Sequence, residues 1–144
     1  MLAHRGFELL DEGECRRLLG LNEIGRVSLS IGALPAIFPV NYMIDRDSIV
    51  FRTATGTQLA EATGRGVVAF ESGYIHPSGE SGWSVMVVGV PIEVTDAATR
   101  SRLSLGQPTH WTFSEEDRLF RLATDLVSGT RIYRDHGGSR RHAA

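Results

Sequence analysis

Apolar and hydroxyl side chains alternate over residues 25–31, which is the period-two pattern of a strand with one face on a core. After a predicted turn at 32–35, the run 36–44 is apolar on both faces, and a polar turn leads into a third strand at 48–53. Three successive strands joined by tight turns predict an antiparallel meander. Pro39 lies inside the second strand, so this strand is predicted at a sheet edge or at a bulge.

A second group of strands is predicted further along the chain. A short apolar run at 67–70 is followed by a Ser-, Gly- and Pro-rich loop at 72–82 and by the longest predicted strand, 83–94. Shorter strand pieces are predicted at 119–124 and 131–133. The long strand is apolar on both faces, so both faces need cover, and a second copy of the chain is one candidate to supply it.

Helix signals are short and lie between the strands. A capping box that begins at Asp11 predicts a helix ending at Gly20, and helix formers at 58–63 predict a second helix that stops at Gly64. A third helix is predicted within 95–106. Some six short strands with two or three brief helices predict a mainly β chain that closes, or nearly closes, into a barrel.

The composition is that of one ordinary domain. The chain has 144 residues, of which 42% are hydrophobic, and a single domain is predicted over 1–136, with a frayed polar tail at 137–144. The formal net charge is -2 and the basic residues are not gathered on one segment, which predicts no nucleic-acid partner. Because no apolar stretch approaches about 18 residues, we expect no membrane contact and a soluble, cytoplasmic protein. Cys15 is the only cysteine, which suits a reducing compartment.

Residues 52–58 form the most chemically suggestive stretch. Arg52 ends a predicted strand, three threonine hydroxyls alternate with Ala54 and a flexible Gly56, and the stretch runs into the start of a predicted helix. A guanidinium fork, hydroxyl donors and backbone N–H groups suit a phosphate group. The alternative is a strand-to-helix turn whose threonines merely cap the helix. The pattern by itself leaves both interpretations open.

Two further residues have both a binding and a structural interpretation. Trp83 follows the Gly- and Ser-rich loop, where its side chain would either pack beside a planar ring or simply close the end of the barrel. Asn41 interrupts an apolar strand, and its amide needs partners, either on a ligand ring edge or in a neighbouring turn.

The sequence lacks the motifs that are typical of several enzyme classes. The five histidines form no i, i+4 pair, so no metal site is predicted. The segment 79–82 lacks the Gly-x-Ser-x-Gly spacing of a hydrolase nucleophile, and the glycines make neither a dinucleotide fingerprint nor a P-loop. No catalytic residue is assigned from the sequence.

Five short motifs occur in order and together resemble a known family. They are Gly25-Arg26-Val27; Phe38-Pro39-Val40-Asn41-Tyr42 after Pro35; Ile49-Val50-Phe51-Arg52-Thr53 with Gly56-Thr57-Gln58-Leu59; Val68-Ala69-Phe70-Glu71; and Gly82-Trp83-Ser84-Val85 with Gly89. In this order they resemble the pyridoxamine 5′-phosphate oxidase-like flavoproteins of the flavin reductase-like split-barrel superfamily. The resemblance runs over residues 10–94 and more faintly over 128–132.

The resemblance implies a fold, an assembly and a binding site. The fold is a six-stranded antiparallel split β-barrel with short peripheral helices, and the assembly is a homodimer with FMN, or the deazaflavin F420, in a cleft between subunits. The implied cofactor-binding residues are Phe38, Pro39, Val40 and Asn41 at the ring, Arg52, Thr53, Thr57 and Gln58 at the phosphate, and Trp83 and Ser84 on a strand facing the cofactor. Members of the family often have Lys where this chain has Gln58, so one charged phosphate contact becomes a neutral amide.

The function implied by the resemblance is an FMN-dependent oxidoreductase that transfers a hydride or electrons to a small organic acceptor. Two alternatives are an F420-binding reductase and a non-catalytic protein that binds or sequesters a flavin. Haem binding ranks last, because its candidate axial ligands, His76, His110 and His136, lie in no motif of the resemblance.

Overall fold

The computed structural model describes residues 6–106 and 114–134, so the expectations for the tail at 137–144 and for His110 and His136 concern residues outside this part of the chain. The described residues form nine strands and three helices. In chain order these are β1 (Phe7–Leu10), α1 (Glu12–Leu19), β2 (Ile24–Ile31), β3 (Leu34–Asp45), β4 (Ser48–Thr53), α2 (Gln58–Thr63), β5 (Val68–Ile75), β6 (Ser81–Gly89), β7 (Ile92–Glu93), α3 (Ala97–Leu105), β8 (Arg118–Ala123) and β9 (Val127–Tyr133).

The nine strands form one antiparallel sheet in the order β1-β9-β6-β5-β2-β3-β4-β8-β7. The sheet curls into a half-barrel, because β6 returns against β8 and the inward side chains Val85 and Phe120 join one core. The mainly β, antiparallel prediction is therefore confirmed. The prediction of six strands is wrong: β1 was missed, and the predicted long strand is divided into β6 and β7.

The division of the long strand has a local cause. The strand β6 ends at Gly89, and Pro91, which has no N–H to donate to a ladder, lies before the two-residue β7. The strand β5 extends to Ile75 instead of ending at Phe70, which shortens the predicted loop to the five residues between Ile75 and Ser81.

The strand β3 changes partner along its length. It pairs with β2 from Leu34 to Asn41 and with β4 from Tyr42 to Asp45. Pro39 lies in the first part, where β2 is the one neighbouring strand among the described residues. The side of β3 away from β2 has no strand to pair with there, so the missing N–H of proline costs no hydrogen bond of a ladder on that side. This confirms the edge position predicted for Pro39.

The core connects the half-barrel to α1. Tyr42 is buried, its ring meets Phe70 edge-to-face at 4.8 Å between centroids, and its hydroxyl donates to the Leu19 carbonyl at 2.6 Å. Gly25 has no room for a Cβ, because one would collide with the Phe70 ring. The aromatic core therefore determines how closely β2 approaches β5.

The three predicted helices are confirmed with their caps. Asp11 accepts a hydrogen bond from the Glu14 N–H at the start of α1, Thr57 does the same for Ala60 in α2, and Asp96 caps α3. No described helix has the length and apolar character needed to cross a membrane.

A charged cluster attaches α3 to the sheet. The buried Asp45 accepts hydrogen bonds from Arg102 of α3 at 2.7 and 3.0 Å and from Arg121 of β8 at 2.8 Å. The hydrogen bonds from Arg102, aided by those from Arg121, hold the pKa of the Asp45 carboxyl well below its ordinary value of 3.8, although burial acts in the opposite direction. The carboxylate thus joins three elements that are distant in sequence.

We predict that Asp45→Asn lowers the free energy of unfolding at pH 7 by about 2 kcal/mol, because it removes charge-assisted hydrogen bonds and leaves two guanidinium groups without their carboxylate. Since the folded pKa is depressed, this contribution is complete above the ordinary pKa of 3.8 and is lost as the pH falls below it. Urea denaturation at pH 7 and at decreasing pH measures both effects.

Asp47→Asn is the matched control, because Asp47 is exposed in the same turn and the change removes the same charge. It is expected to shift stability by no more than about 0.5 kcal/mol. Equal effects of the two substitutions would contradict the role given to Asp45.

Candidate functional site

A cavity of about 430 Å³ lies where β3 leaves β2 and begins to pair with β4. Its lining residues come from the start of β2, the middle of β3, the end of β4 with the residue after it, and the residue before β8: Ile24, Pro39, Val40, Asn41, Arg52, Ala54 and Asp117. The structure therefore brings four of the predicted site residues together. Ala54 belongs to the predicted phosphate stretch without having been assigned a role, and Ile24 and Asp117 were not predicted.

Arg52 meets a carboxylate at this cavity. Its Nη1 lies 3.6 Å from Oδ2 of Asp117, and the two side chains are only 15% and 16% exposed. The sequence places Asp117 in a short turn and contains no signal that it reaches Arg52. That contact follows from the pairing of β4 with β8, which sets Thr53 opposite Arg118.

The turn that carries Asp117 is fixed by several hydrogen bonds. The Ser114 N–H donates to Oδ2 of Asp117 at 3.2 Å, and the Asp117 N–H donates to the Ser114 carbonyl at 3.0 Å. Arg100 of α3 donates to the carbonyls of Glu115 at 3.1 Å and Asp117 at 2.7 Å. The carboxylate is thus positioned by the turn itself and by α3.

The three threonines of the predicted phosphate stretch have different environments. The Thr57 hydroxyl caps α2 and donates to the Ala54 carbonyl at 2.7 Å, and the Thr55 hydroxyl donates to the Glu116 carbonyl. Thr53 is 3% exposed, and its hydroxyl has no hydrogen-bond partner in the part of the chain that the structure describes. The capping interpretation therefore holds for Thr57. The Thr53 hydroxyl is buried on the opposite face of β4 from Arg52 and has no partner among the described residues.

Gln58 lies apart from this cavity. Together with Ile31 and Arg65 it lines a smaller depression of about 180 Å³ between β2 and α2. Its predicted role at the phosphate stays a prediction.

Phe38, Trp83 and Ser84 also lie outside the lining of the cavity. Phe38 packs against the main core, and Trp83, which is 9% exposed, belongs to that core. Ser84 is on the opposite face of β6, where its hydroxyl donates to Glu71 at 3.2 Å. Consecutive residues of a strand point to opposite faces, so within one chain Trp83 and Ser84 contact different surroundings. Their predicted contact with a cofactor stays a prediction.

His76 lies in the exposed turn before β6. Its Nδ1 accepts a hydrogen bond from the Ser78 N–H at 3.1 Å and lies 2.8 Å from the Ser78 hydroxyl. Over residues 6–106 and 114–134, no three side chains of His, Cys, Asp or Glu are grouped so as to hold a metal ion.

The chain belongs to the pyridoxamine 5′-phosphate oxidase family, whose sequence profile matches residues 11–133. The uncharacterised protein Rv0080 of Mycobacterium tuberculosis is 33% identical over 132 residues, which cover 88% of this chain and 86% of that protein. The family resemblance seen in the five ordered motifs is thereby confirmed.

Solved structures have the same fold. An FAD-binding protein from Mycobacterium smegmatis superposes with a TM-score of 0.71 at 28% identity, covering 88% of this chain and 98% of that one. An FAD-binding protein from Mesorhizobium loti superposes with a TM-score of 0.70 at 20% identity, covering 88% of this chain and 98% of that one, and shows the fold alone.

We predict that Thr53→Val raises the free energy of unfolding of the ligand-free protein by roughly 1 kcal/mol, because valine keeps the shape of the side chain and removes a buried hydroxyl without a partner. Urea denaturation of the two proteins measures the difference.

Thr63→Val is the matched control. Thr63 is equally buried, but its hydroxyl donates to the Leu59 carbonyl at 2.5 Å, so this variant is expected to lose about 1 kcal/mol. A loss of stability in both variants would show that the Thr53 hydroxyl has a partner.

Proposed function

We propose that the protein binds a flavin at the cavity between β2, β3 and β4, with a phosphate of the flavin at Arg52. The observation that supports the proposal best is the Arg52 guanidinium on the wall of a cavity that also offers the Asn41 amide and an apolar surface. The 28% identical Mycobacterium smegmatis protein, which binds FAD, supports the choice of a flavin.

The residues at the cavity fit such a ligand. A volume of about 430 Å³ lies within the usual range for small-molecule sites. Pro39, Val40 and Ile24 supply apolar surface for a ring system, Asn41 supplies an amide for its polar edge, and Arg52 supplies a guanidinium for an anion.

Each residue has a distinct task in this arrangement. Arg52 binds and orients the phosphate, Asn41 fixes the rotation of the ring by hydrogen bonding, and the apolar side chains of Ile24 and Val40 keep water from one side of the ring. A bound flavin supplies the hydride or electron transfer itself. The chain then needs no acid–base pair of its own.

The finer proposal is an FMN-dependent oxidoreductase acting on a small organic acceptor, as the family resemblance implies. F420 in place of FMN, and a protein that binds a flavin without turnover, are the second candidates. Absorbance spectra and mass spectrometry of the purified protein identify the bound molecule, and reduction by NAD(P)H followed by reoxidation with an acceptor separates an enzyme from a storage protein. A colourless protein without affinity for FMN, FAD or F420 would contradict the proposal.

We predict that Arg52→Gln weakens FMN binding by about 10- to 100-fold and leaves riboflavin binding nearly unchanged, because only FMN carries the phosphate. Fluorescence titration with both ligands measures the two dissociation constants. Arg46→Gln, at an exposed arginine in the β3–β4 turn, is the control for the change in net charge. Equal losses for the two ligands would mean that Arg52 only supports the fold.

We also propose that the protein acts as a homodimer through the outer face of the sheet. This face carries exposed apolar side chains on β1, β3, β5 and β6: Phe7, Leu9, Ile37, Ile75 and Met86. At Ile24, which is 55% exposed, the face reaches the cavity. A second copy would therefore cover the apolar surface and close the open side of the cavity in one step.

We predict that Met86→Lys converts a dimer into a monomer and weakens flavin binding, because the interface would have to desolvate a charged side chain in place of an apolar one. Met86 is 43% exposed in the single chain, so the substitution leaves its fold intact. Sedimentation or light scattering measures the mass. Leu105→Lys, at the exposed end of α3, is the control and should stay dimeric. A wild-type monomer, or a Met86→Lys monomer that binds flavin fully, would contradict the proposal.

A further inference from the structure

The ladder between β2 and β5 ends beside the cavity. Its last pair towards the start of β2 is Arg26 with Glu71, so in the same register Ile24 would lie opposite Gly73. The two strands separate there instead, and a depression of about 500 Å³ has Ile24 and Gly73 in its lining. Ile24 therefore belongs to the walls of both this depression and the proposed flavin cavity.

Side chains replace the ladder hydrogen bonds at the point where the strands separate. The Ser72 hydroxyl donates to the Ile24 carbonyl at 3.1 Å. The side-chain amide of Asn22 donates to the Gly73 carbonyl at 2.8 Å and to the Ser72 hydroxyl at 3.0 Å. Backbone carbonyl groups that have no ladder partner need another donor, and Ser72 and Asn22 supply it.

Tyr42 of β3 holds the same segment from the other side. Its N–H donates to the Glu23 carbonyl at 2.9 Å, and its hydroxyl donates to the Leu19 carbonyl at 2.6 Å. The Tyr42 hydroxyl oxygen also lies 3.1 Å from Oγ of Ser72, and both side chains are buried. Ser72 thus belongs to a hydrogen-bonded network that joins the end of α1, the start of β2, β3 and β5.

The position of Ile24 depends on this network. Its side chain is 55% exposed, so packing in the core does not fix it. Ile24 lies opposite Asn41 in the β2–β3 ladder, and both residues line the cavity. A change in the backbone at Ile24 would therefore move part of the apolar wall against which the flavin ring is proposed to pack. A wall that is in place before the ligand arrives lowers the free-energy cost of binding.

We propose that Ser72 is a positioning residue of the flavin site, because its hydroxyl holds the Ile24 backbone where the Ile24 side chain forms the cavity wall. Ser72 itself is fully buried and does not line the cavity. The inference rests on the proposed flavin site and adds to it a residue that acts on the ligand through Ile24.

The test compares the wild type with Ser72→Ala and Ser48→Ala by titration with FMN, FAD, F420 and riboflavin. Ser48 is the matched control, because its buried hydroxyl also donates to a backbone carbonyl, that of Asp45 at 2.8 Å, and accepts a hydrogen bond from a side chain, that of Arg121 at 2.6 Å. Ser48 begins β4, whereas Arg52 lies near the end of that strand. Urea denaturation is expected to show similar losses of stability in the two variants.

We expect Ser72→Ala to weaken all ligands that the wild type binds by the same factor, about threefold to tenfold, because Ile24 faces the tricyclic ring that the four ligands share. Ser48→Ala should keep every dissociation constant within about twofold of the wild-type value. With saturating ligand, the visible circular dichroism spectrum of the bound ring should change in Ser72→Ala and stay the same in Ser48→Ala.

The substitution Ile24→Ala shows whether Ser72 acts through Ile24. Once the Ile24 side chain is removed, Ser72→Ala has no side chain left to displace from the wall. In this background Ser72→Ala should change the dissociation constants by less than about twofold. A purely structural role of Ser72 predicts no such dependence on Ile24.

The outcomes separate this inference from the function on which it rests. Equal effects of Ser72→Ala and Ser48→Ala on binding, or an effect of Ser72→Ala that is undiminished in the Ile24→Ala background, overturn the role of Ser72 and leave the flavin site standing. A wild type that binds none of the four ligands overturns the flavin site and the role of Ser72 with it.

If Ser72→Ala does not fold, Asn22→Ala takes its place in the comparison. It removes the donor to the Ser72 hydroxyl at a half-buried position outside the cavity lining, and it should weaken the same ligands. Wild-type affinity in Asn22→Ala then overturns the inference.

Discussion

The rest of the structure depends on how one strand, β3, divides its backbone hydrogen bonds between two neighbours. Buried backbone groups need partners, and β3 satisfies its own by pairing with β2 as far as Asn41 and with β4 from Tyr42 onward. The change of partner separates β2 from β4, and the cavity lies in the resulting gap. Asn41 of β3 and Arg52 of β4 both line the cavity, because each lies one residue beyond the last pair of the β3–β4 ladder, Tyr42 with Phe51.

Arginine–carboxylate contacts connect later parts of the chain to the β3–β4 hairpin at two places, and their surroundings differ. Asp45 receives close hydrogen bonds from Arg102 and Arg121 and is buried between α3 and β8, which makes it a structural connection. The Arg52–Asp117 pair is longer, at 3.6 Å, and lies on the wall of an open cavity. The same chemistry therefore supports the fold at one place and defines the charge of a binding site at the other.

A single chain presents a polar part of a site next to an apolar surface. The guanidinium of Arg52 and the amide of Asn41 lie at the divergence of β2 and β4, and the outer face of the sheet reaches the same place at Ile24. Trp83 points into the core, and Ser84 points to the outer face where Glu71 accepts its hydroxyl. In the proposed dimer, subunit assembly and ligand binding share this surface.

The sequence by itself determined the local structure, because alternation, capping and helix stops act between residues a few positions apart. The strand at 25–31 and the cap at Asp11 could be predicted in this way, whereas the cap at Thr57 and the edge position of Pro39 were each one of two interpretations that the sequence left open. The ordered motifs also identified the family and placed Arg52 at a candidate site. Only the tertiary structure decided which strands pair, that β1 joins the sheet at its edge, and that Asp117 lies beside Arg52. Those contacts depend on the register between strands that are distant in sequence. The free energy that favours one register comes from pairs across the whole sheet, so no single segment shows a pattern that predicts it.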